Sequence, residues 1–282
     1  MTIVEWVRRA SRERWAIGQF NISNLEVLQG VVAAANEHSS PTIIGVSMGS
    51  LRHIGLPYLS GLIQGARRAA RAPIFFHLDH GTDFETVKAC IEIGFDSVML
   101  DASRASIEEN IRLVREVVDF AHAYRVGVEA QLGETWDEET GDLVQAKTDP
   151  NQVKDFAEHT GIDYLAISFG NTPGRLEGMA EVDIDLVRTC AAVSPVPIVL
   201  HGGSSIPDKS LHAAIASGAA KVNIDTAIRQ AITSVFRQYY ADSETTPSDP
   251  RKPFAAVQQA VQQVVSAKMQ LLGSVQKANG LM

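Results

Sequence analysis

The sequence predicts a (β/α)₈ barrel, a closed ring of eight parallel strands each followed by a helix, with one extra C-terminal helix. Eight short β-branched runs alternate with longer segments whose apolar residues recur every three or four positions. Most of these runs are apolar throughout, as is typical of parallel strands covered on both faces. The 282 residues are close to the ~250 that one such barrel takes. Residues 1–282 are therefore predicted to form a single barrel domain, with residues 242–282 as a C-terminal loop and helical tail.

The predicted strands are recognised by their β-branched and aromatic residues. In chain order they are Ala16–Ile22, Thr42–Ser47, Ile74–Asp79, Ser97–Asp101, Val126–Leu132, Tyr164–Phe169, Pro197–His201 and Lys221–Asp225.

A helix is predicted after each strand. The predicted helices are Leu25–Asn36, Tyr58–Ala70, Phe84–Ile93, Ile107–Tyr124, Asn151–His159, Ile184–Val193, Asp208–Ser217 and Ala227–Tyr240. Asp83, Ser106 and Asp183 are predicted N-caps, because their side-chain oxygens can accept hydrogen bonds from the first backbone amides of a helix.

The two ends of the chain lie outside this alternation. The first fifteen residues, MTIVEWVRRASRERW, mix charged and apolar residues and predict a surface helix rather than a signal peptide. Residues 242–253 are polar and proline-rich, which predicts a loop, and Phe254–Leu272 has the apolar spacing of a helix. This last helix either caps the barrel or packs on a second subunit.

Charge and cysteine content exclude several classes of protein. The chain has 25 basic and 33 acidic residues, a formal net charge of −8, which argues against binding to nucleic acids or membrane surfaces, since both are polyanions. A small phosphorylated substrate remains compatible, because it needs only a local site. Cys90 and Cys190 lie in predicted helices and are expected to be buried reduced thiols of a cytoplasmic protein.

Polar residues stand at the C-terminal ends of the predicted strands, where barrels of this kind carry their active sites. They come from sequence-distant points of the chain and are expected to converge. The set comprises Asn21, Ser47, His77, Asp79, His80, Asp101, Glu129, Gln131, Asn171, His201, Gly202, Gly203, Ser204, Asn223, Asp225 and Thr226.

Four motifs among these strand ends resemble one family. FHLDHG at 76–81, DYLAISFGN at 163–171, VLHGGS at 199–204 and KVNIDT at 221–226 are similar to segments of the class II, metal-dependent ketose-bisphosphate aldolases, which include the fructose- and tagatose-bisphosphate enzymes. The resemblance runs in order from about Phe20 to Ile228. It implies a lyase that reversibly cleaves a phosphorylated ketose into dihydroxyacetone phosphate and an aldehyde. It also implies a homodimer or homotetramer.

The resemblance assigns roles to individual residues. Asp79 corresponds to the family's acid/base, and Glu139 to a carboxylate that moves protons at the dihydroxyacetone phosphate carbon. His80 and His201 correspond to two of three zinc-binding histidines. The alternative for Asp79 is a helix-capping carboxylate, and for Glu139 an ordinary solvated acidic loop. His77 is expected to point the same way as Asp79, because the two are separated by one residue on a strand.

The expected phosphate site consists of glycine-rich turns, whose backbone amides can approach an anion closely. The residues predicted to bind substrate or phosphate are Asn21, Gly202, Gly203, Ser204, Asp225 and Thr226, and the family resemblance adds Ser47, Gly174 and Asn223. A monovalent cation near the phosphate is a second expected cofactor, beside zinc or another divalent cation.

The chain departs from the family pattern at the metal site. Pro173 stands where the third zinc histidine is expected, and Gln131 replaces a glutamate that serves as an alternative ligand. A water molecule, Asp101 or His77 is expected to complete the metal shell; alternatively, Arg104 or Arg175 stabilises the oxyanion instead. The alternative function is a non-catalytic or metal-independent sugar-phosphate-binding relative.

A second motif points to another class of enzyme. Residues 45–49, GVSMG, satisfy the G-x-S-x-G pattern of α/β-hydrolases, with Asp185 and His201 following in the appropriate order. That motif requires a serine on a turn that leads directly into a helix. Here Gly55 and Pro57 are expected to delay the next helix, so a hydrolase is not predicted.

Overall fold

Eight parallel strands form a closed barrel in the computed structural model, which describes residues 1–133, 147–170, 182–241 and 249–280. Each strand pairs with the next, and the last pairs with the first through Ile17 and Lys221. The strands are β1 Ile17–Asn21, β2 Thr42–Ser47, β3 Ile74–Gly81, β4 Ser97–Leu100, β5 Gly127–Leu132, β6 Tyr164–Ile167, β7 Ile198–Leu200 and β8 Ala219–Ile224. The predicted (β/α)₈ fold class is confirmed.

Helices surround this barrel. Within the described residues they are α1 Ile3–Glu13, α2 Leu25–His38, α3 Met48–Ile54, α4 Leu56–Ala69, α5 Phe84–Glu92, α6 Ile107–Ala123, α7 Pro150–Thr160, α8 Ile184–Val193, α9 Asp208–Ser217, α10 Thr226–Ala241 and α11 Arg251–Leu272. The predicted N-caps Asp83, Ser106 and Asp183 each accept a backbone hydrogen bond at the start of a helix. No described helix is long and apolar enough to cross a membrane.

Helix α1 closes the N-terminal end of the barrel and is more than the surface helix that the sequence predicts. Its buried residues Trp6 and Val7 pack in one cluster with Ile17, Ile43 and Phe75, which lie near the starts of strands β1, β2 and β3. Trp6 is 1% exposed. The helix thus seals the end of the barrel opposite the polar strand ends.

Helix α3 corrects one sequence-based argument. Ser47, the last residue of β2, is the N-cap of α3, and its hydroxyl accepts a hydrogen bond from the backbone N–H of Ser50. The expectation that no helix directly follows Ser47 is therefore wrong. The seven-residue helix was not predicted because it has a glycine near its start and only one buried residue, Leu51, and so lacks a clear apolar stripe.

Helix α11 packs on its own barrel. Its face of Val257, Val261, Val265 and Met269 is fully buried, against α2, α10 and β1. A Cβ atom on Gly30 of α2 would lie 2.7 Å from the backbone oxygen of Gln258, which shows how closely α2 and α11 approach. Of the two alternatives for the tail helix, the structure shows the one in which it covers the barrel.

Both cysteines are buried and free, on α5 and α8. Burial raises the pKa of Cys90 to about 12 and that of Cys190 to about 11. The thiols are therefore held in their neutral form at physiological pH, which agrees with the predicted pair of buried reduced thiols.

We predict that Trp6→Ala destabilises the fold by ~3–5 kcal/mol, because it leaves a cavity where a large aromatic side chain packs. Tyr58→Ala is the matched control, since Tyr58 is 77% exposed and its truncation is expected to change stability by no more than about 0.5 kcal/mol. Urea denaturation followed by circular dichroism measures both. An equal decrease in the free energy of unfolding in the two variants would show that α1 is not part of the barrel core.

Candidate active site

A layer of polar side chains lies inside the barrel toward the C-terminal ends of its strands. Pairs of residues two positions apart share the inward face of their strand, as the two-residue period of a strand requires. The layer consists of Gln19 and Asn21 on β1, His77 and Asp79 on β3, Glu129 on β5, and Lys221 and Asn223 on β8, all of them buried. Their convergence agrees with the expectation for the strand ends.

Asp79 is held by two amides. The Nδ2 atom of Asn21 donates to Oδ2 at 2.7 Å, and Nδ2 of Asn223 donates to Oδ1 at 3.0 Å. Burial raises the pKa of a carboxyl, but the charges of His80 and Lys221 outweigh it and hold the pKa of Asp79 well below its usual range. Asp79 is therefore an ionised carboxylate inside the barrel, and it caps no helix in the described residues.

His80 follows Asp79 with a left-handed backbone, φ 53°. The register between β3 and β4 shifts at this point, as at a β-bulge, which re-aims a side chain. Because neighbouring residues of a regular strand face opposite sides, the bulge explains how Asp79 and His80 both reach one site. Nδ1 of His80 donates to Oδ2 of Asp101 at 2.6 Å.

His201 lies just after β7, and its ring centroid is 4.7 Å from that of His80. Its Nε2 atom donates to Oε1 of Glu129 at 2.8 Å. Burial raises the pKa of Glu129, but Lys221 and the hydrogen bond from His201 outweigh it and lower that pKa to about 2. The ring of His201 is therefore held by an ionised carboxylate.

Lys221 balances the charge of Glu129. Its Nζ atom lies 2.7 Å from Oε2 of Glu129, and both side chains are 0% exposed. The same Nζ donates to Oδ1 of Asn223 at 2.7 Å. Sequence reasoning missed this residue; the available signal was a lysine inside the otherwise apolar strand AAKVNI.

Asp79, His80 and His201 form a group of potential metal ligands. One ligand atom of each lies within 4.8 Å of the others. Both histidines donate one ring nitrogen to a carboxylate, Asp101 or Glu129, which is the arrangement that orients metal-binding histidines in proteins. The donor set therefore fits a divalent cation such as zinc.

His77 and Asp101 do not belong to this donor group of described residues. His77 is 0% exposed and hydrogen-bonds to Ser97, which also accepts from Tyr164. Burial, with a contribution from Lys221, lowers the pKa of His77 to about 3, so its ring is neutral. Asp101 instead orients His80. Asp79, rather than either of these two residues, is the third potential ligand beside His80 and His201 among the described residues.

The expected phosphate turn follows β7. Gly202 has φ +67°, and the backbone N–H of Gly203 donates to the backbone oxygen of Asn223 at 2.8 Å. The hydroxyl of Ser204 accepts from the N–H of Ala227 at 3.1 Å. A Cβ on Gly203 would lie 2.3 Å from Cγ1 of Val222, so only glycine fits there. This turn therefore lies against β8 and the N-terminus of α10.

A cavity of about 200 Å³ opens beside the polar layer. Its walls come from the ends of β1 and β2, from α3 and from α10, and they include Asn21, Ser47 and Asp225. Asp225 pairs with Arg229, with Oδ2 and a guanidinium nitrogen 2.6 Å apart. Because Asn21 lines the cavity and contacts Asp79, the cavity adjoins the ionised carboxylate.

Some predicted site residues lie outside the described part of the chain. Glu139, Gly174, Pro173 and Arg175 belong to this group. Their predicted roles stay predictions.

The family of the chain follows from comparison with known proteins. A family model described as class-II fructose-bisphosphate aldolase matches residues 1–277, and the chain therefore belongs to the class II fructose-bisphosphate aldolase family. The resemblance inferred from the four motifs is confirmed. The family consists of lyases, so the prediction of an aldolase-type enzyme is confirmed, and the non-catalytic alternative is not favoured.

Individual relatives match over nearly the whole chain. The fructose-bisphosphate aldolase of Geobacillus stearothermophilus is 36% identical over 285 residues, covering 99% of this chain and 98% of that protein. That of Thermus caldophilus is 35% identical over 305 residues, covering 99% of each. Among solved structures, the YdjI aldolase of Escherichia coli K12 superposes with a TM-score of 0.88 at 34% identity, covering 98% of both chains.

The hydrolase motif finds no support in this geometry, although Ser47 does precede a helix. The hydroxyl of Ser47 lies 3.3 Å from that of Ser50. Asp185 lies on the outer helix α8 with its side chain 86% exposed, paired with Arg188, so it is not placed to orient His201. The hydrolase interpretation is therefore excluded by the position of Asp185, and not by the turn that follows Ser47.

We predict that Gly45→Ala lowers kcat/KM for aldol cleavage by about 10²-fold, the effect expected when a group at the site is displaced by about 1 Å. The added Cβ would lie 2.0 Å from Oδ1 of Asn21 and 2.7 Å from Nε2 of Gln19, and so pushes Asn21 off Asp79. Gly61→Ala is the control, because Gly61 is exposed on α4 and a Cβ there would meet nothing within 4 Å. Unchanged kinetics in Gly45→Ala would show that Asn21 does not position Asp79.

Proposed function

We propose that this chain reversibly cleaves a phosphorylated ketose between its third and fourth carbons, releasing dihydroxyacetone phosphate and an aldehyde. The observation that supports the proposal most strongly is an ionised carboxylate, Asp79, held in place beside the imidazoles of His80 and His201. A retro-aldol step needs a base at one hydroxyl and charge stabilisation at the neighbouring carbonyl. These groups supply both within one small volume.

In the proposal Asp79 removes the proton from the hydroxyl on the fourth carbon. That oxygen becomes the carbonyl of the aldehyde as the bond between the third and fourth carbons breaks, and the electron pair passes toward the carbonyl of the phosphorylated fragment. Asn21 and Asn223 fix the carboxylate for this transfer. Return of a proton to the third carbon is assigned to Glu139, following the family resemblance.

His80 and His201 would hold a zinc ion or another divalent cation, with Asp79 close by. Such an ion supplies a Lewis acid that polarises the ketose carbonyl and stabilises the negative charge that develops there. Asp101 and Glu129 keep the two imidazoles in a fixed orientation. A monovalent cation beside the phosphate stays a prediction.

The substrate phosphate is assigned to the turn Gly202–Ser204 and the N-terminus of α10 at Thr226. Backbone amides in a glycine turn and at a helix N-terminus favour an anion. The carboxylate of Asp225 is paired with Arg229, so its repulsion of a phosphate is reduced. Ser47 and Asn21 line the adjoining cavity, where another part of the sugar would lie, and Asn223 would contact its hydroxyls.

We predict that Asp79→Asn lowers kcat by ~10²–10⁴-fold, the usual contribution of a general base, while the amide keeps the shape of the side chain. The control is Asp119→Asn, an exposed carboxylate on α6. Release of triose phosphate from fructose and tagatose bisphosphates, followed in a coupled assay, measures both variants. Wild-type kcat in Asp79→Asn would remove Asp79 from the mechanism.

We also predict that chelation abolishes cleavage and that added zinc restores it. His80→Gln should lower zinc affinity by more than ~10²-fold, since losing a metal ligand lowers affinity more than losing a residue that hydrogen-bonds to a ligand. His159→Gln, which changes an exposed histidine on α7, should bind zinc like the wild type. Full activity in protein freed of metal would instead support the metal-independent alternative.

A further inference from the structure

We infer that Glu129 and Lys221 are positioning residues. They form a buried ion pair that determines which atoms of His201 and Asn223 donate hydrogen bonds and which accept them. The inference rests on the proposed function, because it concerns His201 as a metal ligand and Asp79 as the acid/base. Neither Glu129 nor Lys221 is exposed at all. Both act through other residues rather than on the substrate.

The pair links His201 to Asp79 through one continuous chain of contacts. Oε1 of Glu129 accepts from Nε2 of His201 at 2.8 Å, and Oε2 lies 2.7 Å from Nζ of Lys221. Nζ then donates to Oδ1 of Asn223 at 2.7 Å, and Nδ2 of Asn223 donates to Asp79 at 3.0 Å. Strands β3, β5 and β8 and the residue after β7 are joined through these four contacts.

The chemistry of the pair fixes the direction of every bond in this chain. An ammonium group only donates and an ionised carboxylate only accepts. Lys221 therefore requires the oxygen of Asn223 to face it, which turns the Nδ2 donor toward Asp79. Glu129 requires the proton of a neutral His201 to sit on Nε2, so Nδ1 is the nitrogen whose lone pair would bind the metal.

Stability does not account for the pair. Two buried charges lose their hydration, and replacing such a pair with apolar residues of similar volume often leaves stability unchanged or raises it. Lys221 is also the one charged residue of strand β8, in which all other residues except Asn223 are apolar. A role in orienting His201 and Asn223 explains why charges occupy these positions.

The test compares the wild type with the double variant Glu129→Leu/Lys221→Met, which removes both charges together and so leaves no unpaired buried ion. The first readout is the protonated ring nitrogen of His201, measured by ¹⁵N NMR on metal-free protein at pH 8 and assigned by its loss in His201→Gln. The wild type should carry the proton on Nε2 alone. The double variant should show a mixture of both tautomers.

Metal affinity and kinetics are the further readouts. The double variant should bind Co²⁺ or Zn²⁺ ~10- to 100-fold more weakly, the usual cost of losing a group that orients a ligand. Its kcat should fall by a larger factor than its KM for the phosphorylated ketose rises, because the phosphate turn is untouched and only the contact of Asn223 with the sugar is weakened. Its melting temperature should stay within about 4 °C of the wild type.

Tyr164→Phe is the matched control. It removes a buried hydrogen bond to Ser97 in the same barrel interior without touching His201 or Asn223, so the tautomer and the metal affinity should match the wild type. An unchanged tautomer and metal affinity in the double variant would overturn the inference. A wild-type His201 protonated on Nδ1 would overturn it too, even if the double variant failed to fold. A wild type with the expected tautomer and no triose phosphate release would refute the proposed function alone.

Discussion

An ionised carboxylate inside the barrel is the constraint on which the rest of the site depends. A charge removed from water is very costly unless hydrogen bonds and opposite charges compensate it. Asp79 has two amide donors and positively charged neighbours. Glu129 has the same need, and Lys221 and His201 meet it. The polar layer is thus a set of mutual partners, and removing any one leaves another unsatisfied.

The bulge at His80 places a potential metal ligand beside the carboxylate of Asp79. A regular strand would send Asp79 and His80 to opposite faces of the sheet. The left-handed backbone of His80 instead sets an imidazole at the barrel mouth beside a carboxylate in the interior. The proposed base and a potential metal ligand therefore lie next to each other, as a reaction requires when it removes a proton from one atom and stabilises charge on a nearby one. Backbone strain of this kind is characteristic of functional sites.

The barrel was predictable because each strand has its own β-branched run and each long helix its own apolar stripe. Helix α3 was missed because seven residues with one buried side chain carry no such stripe. Asp79, His80 and His201 were found through motifs at strand ends. Lys221 was missed because its partner Glu129 lies 92 residues earlier in the chain, and no local pattern records a contact across the barrel. The left-handed backbone of His80 has no sequence signal either, since glycine usually marks that conformation.

The central claim is that Asp79, His80 and His201 form one metal-assisted proton-transfer site. The most direct measurement is an anomalous difference map at the zinc edge from a crystal soaked with zinc and dihydroxyacetone phosphate. The account predicts a zinc peak within bonding distance of His80 and His201, with the phosphate at the Gly202–Ser204 turn. A fully occupied zinc peak elsewhere, or a phosphate bound with no zinc at these histidines, would contradict it.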